Sequence, residues 1–246
     1  MNFGEITEVV PWDICAGDCG QDLNDMQVAS PRLFKSHERY DTVPKGGKYI
    51  YVARDPLDAF VSFYHFLPAY MGLSPGEISM SEFAEAIFAG VSVSGGIWEH
   101  YLQWWRHRHD PNVLWICYED LKEDLPACVK RIAAFMEIDL DDELFAMTLE
   151  KSSFAFMSDH GEQFDDHFLR NCVKHRMGLG KGSQVTVGKV RKGGGKVGGH
   201  KDIPGPVLSL LEKRWEAALW KKAGLSDYAA MREAAARQDI PGRDSM

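Results

Sequence analysis

The stretch Lys48–Phe66 of this 246-residue chain, KYIYVARDPLDAFVSFYHF, reads as a strand that runs into a helix with an arginine at the switch. Tyr49, Ile50, Tyr51 and Val52 form a short run of aromatic and β-branched residues, the composition of a buried parallel strand. Asp55 suits a helix N-cap, and Pro56 suits the first helical position, where its missing N–H costs nothing. Leu57, Phe60, Val61 and Tyr64 recur at spacings of three and four, which predicts one inward face. Ser62 falls off that stripe, on the side shared with Asp58 and Phe66. A cation at a strand end, facing a helix N-terminus and a hydroxyl, is how α/β proteins hold a phosphate. A surface pair between Arg54 and Asp58 is the plainer alternative, and spacing alone leaves both open.

The rest of the chain alternates in the same way. Pro31–Ser36 is a candidate short strand leading to Lys35, Ser36 and His37. Ser81 is expected to cap a helix through Phe83 and Ile87. A further helix over 97–108 carries Trp98, Tyr101 and Trp105 on one face, an aromatic stripe that reads as core. Asn112–Tyr118, NVLWICY, is the next buried strand, and it leaves Tyr118 at the C-terminal edge where open α/β sheets bind ligands. Pro126 opens a helix with Val129, Ile132, Ala133 and Met136 inward, and Asp141 and Asp142 begin another to about Glu150. Helices near 206–222 and 226–237 close the chain. Strands separated by helices predict an α/β fold, a parallel β-sheet flanked by helices on both faces.

At 246 residues one domain spanning 1–246 is expected, with residues 1–30 irregular. No run approaches the roughly 20 apolar residues that span a bilayer, and the start shows no basic segment leading into an apolar core. Five scattered cysteines make neither a disulfide framework nor a zinc pattern, so a cytoplasmic location with reduced thiols is the expectation. The net charge of −8 argues against nucleic acid as a partner. Its distribution is uneven: from His167 through Lys201 there is no Asp or Glu, every charged residue is basic, and many glycines stand among them. Such a stretch in an acidic protein suggests a local anion site, with a solvated loop as the plainer alternative for most of its lysines.

Several segments, in this order, resemble the PAPS-dependent sulfotransferase family of the cytosolic type, where PAPS is 3′-phosphoadenosine-5′-phosphosulfate. Residues 31–56, PRLFKSHERYDTVPKGGKYIYVARDP, are similar to the family's strand ending in Lys-Thr/Ser-His followed by the strand before Arg-Asn/Asp-Pro. Arg54–Phe66 looks like its 3′-phosphate-binding helix, with Ser62 eight positions after the arginine. Cys117–Asp124, CYEDLKED, matches its Tyr-Glu-Asp-Leu strand end. Ser152-Ser153-Phe154 resembles the element beside the adenosine, and Arg191-Lys192-Gly193 the Arg-Lys-Gly that closes over the 3′-phosphate.

The resemblance implies a fold related to the P-loop NTPases and transfer of a sulfuryl group from PAPS to a hydroxyl or amine of a small acceptor. It implies His37 as general base, a task for which an imidazole is suited near neutral pH, and Lys35 as the cation at the sulfuryl oxygens. Arg54, Ser62, Arg191, Lys192 and Gly193 would hold the 3′-phosphate, and Tyr118, Phe154 and Ser152 would lie at the adenosine. It implies no metal and no membrane partner, and leaves a homodimer open. Phe34, Phe66 and Tyr70 suggest an apolar acceptor pocket.

The sequence also departs from the family. The N-terminal strand and Pro-Lys-Ser-Gly-Thr-Thr-Trp type loop that cradle the 5′-phosphosulfate have no counterpart here. Residues 5–12 resemble the stretch that follows that loop, which points to a chain truncated at its N-terminus and a sheet lacking that strand. His200-Lys201 stands where the family has a Trp-Lys pair. An inactive relative that binds nucleotide or a partner without transfer is therefore the alternative. A P-loop kinase ranks below both, since no G-x-x-x-x-G-K is found.

Overall fold

Strands β1 (Tyr49–Ala53) and β2 (Val113–Cys117) lie side by side in the computed structural model, which describes residues 3–74, 76–89, 95–174 and 198–237. They run parallel, with Tyr49 opposite Val113 and Ala53 opposite Cys117. A parallel pair needs a long crossover, supplied by helices α1 (Pro56–Tyr70), α2 (Met80–Ala89) and α3 (Ile97–Arg106). After β2 come α4 (Tyr118–Glu123), α5 (Leu125–Met136), α6 (Asp142–Lys151), α7 (Phe154–Asp159) and α8 (His167–Val173). The C-terminal part holds α9 (Gly205–Trp215), a π-helical turn at Glu216–Trp220, α10 (Lys221–Ala223) and α11 (Tyr228–Ala236). The architecture is α/β, a parallel sheet flanked by helices.

The chain divides into two compact units. One comprises Met1–His37, Phe63–Ile78 and Lys151–Lys196; within it α8 packs on the short 3-10 turns at Ile6–Glu8 and Gly17–Cys19. The other comprises Glu38–Ser62, Ser79–Glu150 and Val197–Met246, and holds the sheet. Its core is β2, buried along its whole length. Because strand side chains alternate, Leu114 and Ile116 face one way, into a cluster with Phe135, Ile132 and Met136 of α5. Trp115 faces the other way, 5.1 Å from the Trp105 ring of α3 and 4.7 Å from Tyr51 of β1. Trp98, Tyr101 and Trp105 are all buried, so the aromatic stripe is core as its spacing predicts.

Three local expectations need correcting. Pro31–Ser36 is no strand: only Lys35 forms a parallel bridge, to Trp12. The Gln27 side chain takes up the neighbouring backbone instead, accepting from Leu33 N–H at 2.7 Å and donating to Leu33 C=O at 2.8 Å. The cap of α2 is Ser79 rather than Ser81. Ser79 Oγ accepts from Glu82 N–H at 3.2 Å, and the Glu82 carboxylate accepts from Ser79 N–H at 2.7 Å, a reciprocal capping box. β1 is not buried throughout. Tyr49 and Tyr51 turn toward the aromatic cluster of α3, whereas Ile50 and Val52 remain 37% and 51% exposed. The sheet is two strands wide among the described residues, and α5 packs on that face against Leu114 and Ile116 of β2. No helix among the described residues is long and apolar enough to cross a membrane.

The capping box generates a test. Ser79→Ala should cost about 1 kcal/mol of stability in urea unfolding. Ser81→Ala, already inside the helix, should leave the midpoint unchanged or slightly raised; the reverse ranking would refute the assignment.

Candidate functional site

The register of the sheet sets the first half of the site. Because Ala53 pairs with Cys117, the next residue of each strand, Arg54 and Tyr118, emerges at the same C-terminal edge. The Arg54 guanidinium lies over the Tyr118 ring, 4.7 Å from its centroid. Among the described residues, Nε of Arg54 is buried and has no hydrogen-bond partner. Such an orphaned cationic donor is the kind of group that an anion satisfies.

The turn carrying Arg54 is held on several sides. Arg54 N–H donates to the Tyr101 hydroxyl at 3.2 Å, and that hydroxyl donates to Arg54 C=O. Asp55 N–H donates to Glu119 Oε1 at 3.1 Å, while Glu119 Oε2 accepts from the Tyr228 hydroxyl at 2.5 Å. Asp55 caps α1 as expected, accepting from Leu57 N–H at 2.8 Å. Burial raises the Asp55 carboxyl above the ordinary carboxylate range, opposed by its bond from Leu57 N–H and aided by the Asp58 charge. Burial likewise lifts the phenols of Tyr101 and Tyr228 well above the usual tyrosine range, and the Cys117 thiol to about 11. Both hydroxyls therefore stay protonated.

One turn into α1, Asp58 is only 2% exposed. It forms no surface pair with Arg54 among the described residues; its carboxylate accepts from Gly198 N–H at 2.7 Å and lies 3.3 Å from Nδ1 of His200. Ser62 is half-buried, one turn further along the same helix.

In the other unit, Lys35 and His37 share one partner. The Lys35 ammonium is 4.1 Å from the Trp12 ring centroid, and the His37 ring centroid is 4.6 Å from the Trp12 ring. Residues two apart in extended chain point the same way, and here both reach one indole. The bridge that presents Trp12 is made by Lys35 N–H to Pro11 C=O at 2.9 Å and Asp13 N–H to Lys35 C=O at 3.0 Å. His37 is exposed and Lys35 half-buried. In the same unit Ser153 caps α7 through Phe156 N–H at 3.1 Å, which leaves Ser152 and Phe154 exposed beside the cap.

The structure thus brings Arg54 together with Tyr118, and Lys35 with His37. Arg191, Lys192 and Gly193 lie outside the described residues, as does the Tyr70 side chain. Sequence reasoning missed Tyr101, Glu119, Tyr228, Asp58 and Trp12 as parts of this construction. Tyr101 reads as one more aromatic in a core stripe, and its partner stands 47 positions away; no local pattern encodes that pairing.

A parallel α/β sheet with a cation and an aromatic ring at its C-terminal strand edge is an arrangement by which several families of α/β proteins bind ligands. Comparison with known proteins fixes which one: the chain belongs to the sulfotransferase family, whose sulfotransferase-domain model matches residues 10–184. It is 34% identical over 153 residues to amine sulfotransferase of Oryctolagus cuniculus, covering 60% of this chain and 50% of that protein. It is 39% identical over 141 residues to sulfotransferase 1 family member D1 of Rattus norvegicus, covering 55% and 46%. The chain spans about half the length of the curated relatives it matches. Among solved structures it resembles retinol dehydratase in complex with androsterone and the inactive cofactor PAP, with 26% identity and a TM-score of 0.62. That match covers 82% of this chain and 57% of the other.

The Asp58 contacts generate a second test. Asp58→Ala removes the charged acceptor of the half-buried Gly198 N–H and should lower stability by roughly 1–3 kcal/mol in urea unfolding. Asp58→Asn, which keeps an acceptor, should recover part of that loss; an Asp58→Ala protein of unchanged midpoint would refute the contact.

Proposed function

We propose that this chain, as one sulfotransferase-like domain over 1–246, moves a sulfuryl group from 3′-phosphoadenosine-5′-phosphosulfate to a hydroxyl or amine of a small acceptor. Family membership supports the reaction class. The observation that carries the nucleotide reading is the buried Nε of Arg54, unpartnered among the described residues, at the C-terminal edge of the sheet beside the N-terminus of α1. A 3′-phosphate would satisfy that donor, and the α1 N-terminus favours the same charge. The complex of a relative, retinol dehydratase, with PAP is in keeping with it.

The bound donor supplies an activated sulfur whose bond to the 5′-phosphate oxygen breaks as the acceptor oxygen or nitrogen attaches. His37 takes the proton that the acceptor gives up, and Lys35, two residues away, lends its cation to the sulfuryl oxygens. Arg54 and Ser62, with Arg191, Lys192 and Gly193, hold the 3′-phosphate away from the reacting atoms, so they bind and orient rather than react. Tyr118 and Phe154 offer ring faces to the adenine, and Ser152 serves the adenosine. The acceptor is a small molecule with an apolar body, received by Phe34 and Phe66.

Isothermal titration with 3′-phosphoadenosine-5′-phosphate tests the binding half. Arg54→Ala should weaken affinity by roughly tenfold or more, the worth of a charge-assisted bond. His37→Ala should bind as the wild type does while abolishing transfer in a screen of phenols, alcohols and amines. A folded wild-type sample that gives no heat would sink the nucleotide reading. Binding without transfer to any acceptor would sink the catalytic one.

A further inference from the structure

The junction between β1 and α1 presents an unusual backbone problem. The ladder of β1 ends at Ala53, and the first helical hydrogen bond of α1 runs from Ala59 N–H to Asp55 C=O. The N–H and C=O of Arg54 and the N–H of Asp55 thus belong to neither element, yet buried backbone groups need partners. Each is satisfied by a buried side chain from elsewhere in the chain: Tyr101 of α3 for Arg54, and Glu119 of α4 for Asp55. Glu119 is itself oriented by the Tyr228 hydroxyl from α11. Tyr101 and Glu119 are 3% exposed and Tyr228 is 8% exposed. Packing alone would accept phenylalanine at 101 and 228; the hydroxyls are explained by the turn they hold.

We propose that Tyr101, and Glu119 oriented by Tyr228, are positioning residues that fix the Arg54–Asp55 main chain and so aim the Arg54 guanidinium at the nucleotide's 3′-phosphate. This rests on the reading of Arg54 given above and deepens it. An arginine side chain is long and rich in rotamers. Its direction is set by where its Cα is held, and here both backbone groups of that residue are gripped by one phenol. Burial keeps that phenol protonated, so the grip persists across the working pH range.

The test compares 3′-phosphoadenosine-5′-phosphate with adenosine 5′-phosphate, which differ only in the 3′-phosphate, by calorimetric titration of the full chain. A merely structural residue would weaken both ligands alike. Tyr101→Phe should reduce the preference for the 3′-phosphorylated nucleotide by about three- to tenfold, the worth of a hydrogen bond, with adenosine 5′-phosphate affinity unchanged. In an Arg54→Ala background the same substitution should have no further effect on that preference. Tyr228→Phe should act in the same direction through Glu119, and provides the reading if Tyr101→Phe fails to fold. Glu119→Gln, which keeps an acceptor for Asp55 N–H, should retain most of the preference. An unaltered preference in Tyr101→Phe or in a folded Tyr228→Phe, or an equal loss with Arg54 absent, overturns the proposal while leaving the nucleotide reading intact. A wild-type protein with no preference between the two nucleotides overturns that reading and the proposal with it.

Discussion

The parallel register between β1 and β2 is the constraint on which the rest of the sheet-bearing unit depends. Pairing Ala53 with Cys117 decides that Arg54 and Tyr118 leave the sheet together, that Asp55 stands within reach of Glu119, and that α1 begins there. A slip of one residue would turn Trp115 out of its aromatic cluster and Leu114 and Ile116 out of theirs, because strand side chains alternate strictly. The hydrophobic pattern of β2 therefore fixes the polar edge as well as the core. Core and site are two readings of one alignment.

Around that edge, uncharged groups and buried carboxylates hold the backbone, and the Arg54 guanidinium takes no part in those bonds. Glu119 spends its oxygens on Asp55 N–H and Tyr228, and Asp58 spends its own on Gly198 N–H and His200. Arg54 meets Tyr118 by its face, with its Nε still unpartnered among the described residues. Removing either carboxylate's partners would leave a buried charge uncompensated, which is far costlier than losing a surface pair. This division of labour is the physical content of the site in a member of the sulfotransferase family.

Much of this was legible in the sequence where the signal is local. The strand at 112–118, the N-caps at Asp55 and Asp141, and the aromatic stripe of Trp98, Tyr101 and Trp105 all follow from spacing and side-chain chemistry. Family-like motifs such as Tyr-Glu-Asp-Leu at 118–121 also declared themselves. What escaped depended on distance along the chain or on competition between near-equal local choices. Ser79 and Ser81 both precede a glutamate-rich helix start, and only the reciprocal bonds with Glu82 separate them. Residues 31–36 carry a strand-like composition, yet Gln27 claims the backbone of Leu33 before a neighbour can. The exposure of Ile50 and Val52 is set by what packs on that face of the sheet, which no property of β1 reveals.

A further consequence follows from the phenolic grip on residue 54. Dissolved salt screens exposed charges over about 8 Å at physiological ionic strength, but it hardly touches a neutral hydroxyl sealed in the interior. If the proposed grip holds, raising ionic strength weakens the long-range pull of this guanidinium on an anion still approaching through solvent, and leaves its direction unchanged. Attraction and aim are separately tunable here, the first by the surrounding electrolyte and the second only by the protein's own interior.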